Sequence, residues 1–273
     1  MGTDDRKMTK AGTDTAIFRP FRADHPYSRT CFTKPAEEPL LDRRLHGRYV
    51  LKNAEQIPLR FDATADDAVR AALADRFNIA PTKPVPVVVE AASGARQVAI
   101  AAWGIAPHRP GGRPFLACNA RAESLTERPT FRPLVARSRC LVPASGWHEW
   151  TATAGSRAKQ PWYSTDPDAA ELLGLAALLD RWIDGDGTPR AACAIVTTAA
   201  ATDDLRALHD RMPVVLPRTA EAAWLDPGLT DPQAVLPLLL HPDAARLRRW
   251  PVSPAVNRSG GSDPAFVQPL NPA

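Results

Sequence analysis

Apolar residues in this chain arrive in short bursts rather than long periodic runs. Seven of them have the length and the Val, Ile, Leu and Trp content of strands: 85–90, 97–103, 139–143, 147–150, 162–164, 172–178 and 191–197. Four segments carry helix signals. Asp62-Ala-Thr64 precedes Val69, Ala72, Leu73 and Phe77 at helical spacing, with capping residues in front. Thr202-Asp-Asp204 opens a short helix through Leu205 and Leu208, which must stop near Asp210 or Arg211 because Met212 precedes a proline. Thr219 opens another through Ala223 and Trp224. Asp231-Pro232 starts one through Val235 and Leu239, broken or kinked at Pro237. The 28 prolines cut the chain into short elements, and strands and helices do not alternate regularly. A doubly wound sheet is therefore disfavoured, and the pattern predicts an α+β fold: a curved, mostly antiparallel β core, or partial barrel, with short peripheral helices.

Residues 1–44 mix Asp, Arg, Lys, Thr and Pro with few aliphatic positions, and are expected to form an extension without regular structure. Phe18, Phe21, Tyr27 and Phe32 are the positions there with the means to dock on the main body. Residues 45–273 read as one domain, with no repeat of 20 to 50 residues. The apolar runs Ala191–Val196 and Val235–Leu240 fall far short of a membrane span, and the first 30 residues lack the apolar stretch of a secretory signal. Four cysteines, at 31, 118, 140 and 193, form no C-x-x-C pair and are too sparse for a disulfide scaffold. A cytoplasmic monomer without membrane association, metal or cofactor is the expectation.

Charge adds one clue. The formal net charge of +4 is mild, but the basic residues are 28 Arg against 6 Lys. Seven Arg lie between 109 and 139, against Glu123 and Glu127. Such a stretch suits phosphate neutralisation and base stacking, and suits a solvated surface equally well on charge alone.

Four segments have the composition of a site. In Gly146-Trp147-His148-Glu149-Trp150, strand alternation puts Trp147 and Glu149 on one face. A carboxyl beside an indole is desolvated and becomes an acid usable near neutral pH; the alternative is an edge strand whose glutamate is ion-paired at the surface. Ala152 stands where a zinc-binding H-E-x-x-H would need its second His, and no P-C-x-x-C follows for a zinc deaminase. In Leu208-His209-Asp210-Arg211-Met212-Pro213, His209 closes a predicted helix, where the macrodipole favours imidazolium; the alternative is a histidine capping the last carbonyls. Asn119-Ala-Arg121-Ala-Glu123, if extended, aims three polar side chains one way; the alternative is a surface helix with Asn119 as its cap. Asn78-Ile-Ala-Pro81-Thr82 and Trp103-Gly-Ile-Ala-Pro107 are proline-stiffened loops, base wedges or plain turns.

Taken in order with Gly47-Arg48-Tyr49, Cys140-x-x-Pro143 and Val252-Ser253-x-x-Val256-Asn257, these segments resemble the SRAP family, the SOS-response-associated peptidases or abasic-site processing proteins. The resemblance runs from about Leu45 to Pro269. It implies a single α+β domain with a basic groove for single-stranded DNA, especially DNA with abasic sites, and covalent DNA–protein crosslinking by an N-terminal cysteine. Carried over residue by residue, it makes Asn119, Glu149 and His209 catalytic. It makes Arg48, Arg121 and Arg211 phosphate contacts, Asn78, Pro81 and Thr82 groove residues, and Trp103 a base-wedging aromatic. One position departs. The family reads Met-Cys-Gly-Arg, whereas this chain reads Leu45-His46-Gly47-Arg48, so the nucleophile's place holds His46, inside the chain. The departure opens a second reading, a DNA-binding member without the covalent chemistry. For a true peptidase, no Ser or Cys nucleophile in a motif context is visible.

Overall fold

The computed structural model describes residues 47–106, 116–153, 155, 158–166, 171–184, 186–240, 242–258 and 261–270. The expected extension, His46, Pro107, Arg109 and Arg113 lie outside the described residues.

All seven expected strands form, most of them longer than the sequence signal. In chain order the strands are β1 (Arg48–Leu51), β2 (Ala63–Thr64), β3 (Arg76–Ile79), β4 (Pro84–Glu90), β5 (Arg96–Trp103), β6 (Asn119–Arg121), β7 (Arg139–Ala144), β8 (Gly146–Thr151), β9 (Gln160–Thr165), β10 (Leu173–Ile183), β11 (Pro189–Ala199), β12 (Arg211–Pro213), β13 (Val215–Leu216) and β14 (Arg248–Pro251). Strands β5, β4, β7, β10 and β11 are neighbours in that order, and a parallel pairing of Ala192 and Cys193 with Ala102 and Trp103 closes the ring. The barrel is thus closed rather than partial, and closure removes the open edges a small curved sheet would otherwise expose. Side chains of β7, β10 and β11 are buried over most of their length, which is why these strands read as continuous apolar runs.

A second sheet, ordered β14-β9-β8-β1-β3, packs on the barrel. Chain direction turns from β7 into β8 at Gly146, where a Cβ would stand 2.3 Å from the Ser164 carbonyl oxygen, so only glycine fits. On one face of this sheet, Tyr49, Leu51 and Trp147 join the main core; on the other, Val50 and Tyr163 pack with Val252, Val256, Phe266 and Val267. Beneath the barrel, the buried pair Arg60–Glu221 (Nη2 to Oε1, 2.7 Å) sits over Gly174, where any Cβ would meet the carboxylate.

The helices are α1 (Ile57–Arg60), α2 (Asp67–Ala72), α3 (Arg132–Arg137), α4 (Asp203–Arg206), α5 (Arg218–Leu225) and α6 (Pro232–Val235). Thr202 caps α4 and Asp231 caps α6 as expected, and a 3-10 turn takes over at Leu236–Leu239. Three expectations fail. The helix after residue 62 is capped by Asp66, not by Asp62 or Thr64, and ends at Ala72; Phe77 lies in β3 because pairing with β1 outweighs the helical spacing. The cap of α5 is Pro217 rather than Thr219, and α4 ends at Arg206, short of Leu208.

Candidate active site and nucleic-acid groove

Strand alternation places Glu149 on the barrel-facing side of β8, with Trp147. Pairs Arg48↔His148 and Tyr49↔Trp147 fix the β1–β8 register, and one step further sets Gly47 opposite Glu149. A Cβ on Gly47 would lie 3.9 Å from both Asn119 Nδ2 and Trp103 Cη2. Gly47 therefore stands between the carboxyl of β8 and the asparagine that opens β6. Burial first, and the negative charge of Asp210 second, push the Glu149 carboxyl up to about 8, so it is a neutral acid at pH 7. The charge coupling to Asp210 joins the β8 segment to the turn between α4 and β12.

In that turn, His209 Nδ1 lies 3.0 Å from the Arg211 amide nitrogen and 3.0 Å from Asp210 Oδ1. The amide N–H requires Nδ1 as acceptor, while the carboxylate requires it as donor, so these two contacts select opposite proton positions on the ring. His209 is exposed, and its backbone amide rather than its ring bonds to the Leu205 carbonyl of α4 at 3.1 Å; α4 is too short to exert a macrodipole, which corrects both expectations for the side chain.

Arg211 and Arg121 come together from different strands. Parallel pairing aligns Arg121 with Thr197, and the Arg211 Nε and Nη2 donate to Thr197 Oγ1 (3.2 Å) and its carbonyl (2.6 Å). The other edge of the Arg211 fork meets Glu123 Oε1 and Oε2 at 3.3 and 2.9 Å. Asn119, Arg121 and Thr82 are exposed on this side, Thr82 in a left-handed turn whose amide bonds to the Trp103 carbonyl at 2.7 Å.

Other expected groove residues are packed inside. Trp103 is 3% exposed, donates its indole N–H to the Cys118 carbonyl at 2.9 Å and meets Tyr49 edge-on, so no ring face is open to a base. Pro81 is buried as well. Arg48 donates to Asn78 Oδ1 at 3.0 Å, to the Val256 carbonyl and to the Asn257 carbonyl, with its guanidinium 5.2 Å from the Trp150 ring. Asn78 donates to the carbonyls of Val256 and Arg258. These two residues clamp the C-terminal 3-10 turn Pro254–Asn257. Asn78→Ala should cost about 1–3 kcal/mol, read as a lower midpoint in chemical denaturation, because it takes one of three acceptors from Arg48 and leaves the Arg258 carbonyl without its amide donor. The Arg-rich segment also divides: Arg139 is buried, donating to the carbonyls of Trp224, Val135 and Asp226, and belongs to the core.

Sequence reading missed Trp162 and Arg249. Register sets Trp162 opposite Glu149, and the Arg249 guanidinium stacks 4.8 Å from its ring while reaching Asp204 at 3.2 Å. Cross-strand neighbours carry no signal in sequence until register is known. Among the described residues no group of three His, Cys, Asp or Glu side chains has the geometry of a metal site.

Residues 45–259 match the family SOS response associated peptidase (SRAP). The chain belongs to the SRAP family. Within it, the chain is 31% identical over 196 residues to the abasic site processing protein YoqW of Bacillus subtilis (strain 168), covering 70% of this chain and 85% of the relative. It is 27% identical over 232 residues to the abasic site processing protein HMCES of Rattus norvegicus, covering 71% of this chain and 65% of that one. Among solved structures, a Bordetella bronchiseptica protein superposes with a TM-score of 0.62 at 27% identity, over 76% of this chain and 99% of that one. A Bacteroides thetaiotaomicron protein at 23% identity shares the fold, with a TM-score of 0.66 over 83% of this chain and all of that one. The SRAP fold of this chain contains no helix long and apolar enough to cross a membrane among its described residues.

Proposed function

We propose that this SRAP protein processes abasic sites in DNA, and that it takes single-stranded DNA along the face formed by Asn119, Arg121, Thr82 and the His209–Arg211 turn. The observation that carries this reading is convergence. Gly47, Asn119, Glu149 and Asp210, spread over most of the domain, meet around one half-buried carboxyl with a raised pKa. An abasic site presents an aldehyde in equilibrium with its ring-closed form. Opening that ring and dehydrating an amine adduct both require proton transfer near neutral pH, which a protonated Glu149 and the His209 ring supply. Asn119 offers an amide donor and acceptor beside Gly47. Exposed Arg121 supplies charge for a phosphate without reading sequence.

With His46 at the family's cysteine position, the 273-residue chain holds no N-terminal amine and thiol beside Gly47. Its proposed action is therefore recognition and protection of the site, with covalent capture dependent on a cysteine that this chain lacks there. Fluorescence anisotropy with abasic and intact single strands across a salt series tests the groove. Arg121→Ala should weaken binding to all sequences alike and reduce the log–log salt slope by about 0.7, the contribution of one phosphate contact on a single strand. Absence of binding by the unsubstituted protein at low salt would remove the DNA reading.

A further inference from the structure

Arg211 is the basic residue closest to the His209 turn, yet its fork is already filled. Two of its donors hold Thr197, and the opposite edge lies flat against both oxygens of Glu123. A planar guanidinium that binds a carboxylate side-on binds two phosphate oxygens in the same way. The two partners differ in freedom. The Arg211 side chain is 20% exposed and anchored by Thr197, whereas the Glu123 side chain is 54% exposed and sits on the three-residue 3-10 turn Ala122–Ser124. Among the described residues, Glu123 has no other ion-pair partner within 4 Å. Exposed Arg121 acts on the same carboxylate from two positions away. Although partial burial pushes the other way, hydrogen bonds from Arg211 and its own backbone, with the charges of Arg211 and Arg121, keep the Glu123 carboxyl below the usual range.

We propose that Glu123 is an internal stand-in for a DNA phosphate: Thr197, Arg211 and Arg121 form a phosphate subsite, and a strand enters it by displacing the Glu123 carboxylate, which pivots into solvent. The subsite presents one net positive charge while Glu123 is docked and two once it leaves. Glu123 thereby lowers affinity for ordinary single strands and sets a threshold that a correctly placed strand must overcome. This inference rests on the DNA reading above and specifies one of its contacts.

The test is anisotropy with a fluorescent abasic oligonucleotide and an oligothymidylate, from low to physiological salt, on the unsubstituted protein, Glu123→Gln, Arg211→Ala and the double variant. Gln keeps the size and one acceptor but removes the charge. Expected is binding about three- to tenfold tighter for Glu123→Gln at low salt, with a salt slope steeper by about 0.7. No gain is expected from Glu123→Gln once Arg211 is Ala, because the subsite is then gone. If the Glu123–Arg211 pair is only a strut, Glu123→Gln leaves binding unchanged or weaker while lowering the thermal midpoint; that result overturns the proposal and leaves the groove standing. If the unsubstituted protein and Glu123→Gln both fail to bind at low salt, the groove and the proposal fall together. A gain for Glu123→Gln that persists without Arg211 also overturns it, since the released charge would then act through another site.

Discussion

A chain trimmed of residues 1–44, with Leu45→Met and His46→Cys, is expected to form a heat-stable crosslink with abasic single-stranded DNA, while the 273-residue chain forms none. The chemistry requires an amine and a thiol on adjacent carbons of one residue. The amine attacks the abasic aldehyde and loses water to give an imine; the thiol sulfur then adds to the imine carbon, and the nitrogen takes up the proton, closing a thiazolidine ring. Only an N-terminal cysteine provides both groups. In the full-length chain, residue 46 is internal, so its nitrogen is an amide, and an imidazole adduct with an aldehyde carbon reverses readily. The placement of Gly47 beside Asn119 and opposite Glu149 is what makes the gain of function expected from so small a change. The readout is a shifted band on a denaturing gel after heating. A robust shift from the unmodified chain identifies another nucleophile and ends the view that this site has lost its covalent chemistry. No shift from the Met-Cys variant, if it folds and binds DNA, shows that the neighbouring residues no longer support the reaction.

In that Met-Cys variant, Glu149→Gln is expected to slow crosslinking by about 10²- to 10⁴-fold, the range for loss of a general acid. The pH profile separates this from a structural effect. Burial and Asp210 raise the Glu149 carboxyl to about 8, so the acid form is present at pH 7 and is lost as pH rises through 8. The rate with Glu149 should fall across that window, and the residual rate with Gln should not show the same step. Stability follows the same sign. A carboxyl whose folded pKa lies above its ordinary value favours the folded state fully at low pH. That contribution disappears as pH rises from the ordinary carboxylate range to about 8, by at most about 1.4 kcal/mol per pH unit. Glu149→Gln should therefore flatten the stability profile between the ordinary carboxylate range and about pH 8 while destroying the rate. A variant that loses rate and keeps that decline below pH 8 would assign the raised proton affinity to another group.

Buried groups elsewhere impose an opposite limit. His148, fully buried against Tyr163 with Nε2 3.1 Å from the Phe77 carbonyl, is held down to about 4, chiefly by burial. Its neutral form stabilises the fold above the usual histidine range, and that support is lost as pH falls toward 4. Within one strand, alternation thus sets a carboxyl with raised proton affinity at the barrel face and a packed neutral ring on the opposite side.

Much of this architecture was legible in the sequence, because strand cores are written as local apolar runs. The seven bursts all became strands, and Thr202 and Asp231 capped the helices they precede. Short-range chemistry was legible for the same reason: Trp147 and Glu149 share a face whatever the strand pairs with. The extent of the helix after residue 62 was not legible, since its outcome depended on β1 pairing with β3. Family resemblance named Trp103, Arg48 and Asn78 as groove residues, and the motifs are real. In this chain these residues are held in packing: an indole sealed by Cys118 and Tyr49, and a clamp on the C-terminal turn.

What the sequence alone determined, then, is seven of the fourteen strands among the described residues, the caps Thr202 and Asp231, the family, and the histidine that precedes Gly47-Arg48. Each of these is a property of residues near one another along the chain. Only the tertiary structure decided that the barrel closes through β5 and β11, that the Asp210 charge acts on Glu149, that Trp162 lies across from it, and that Glu123 fills the Arg211 fork. Those contacts join residues dozens of positions apart. Their geometry is set by strand register and by competition for buried donors, neither of which leaves a mark in any single segment.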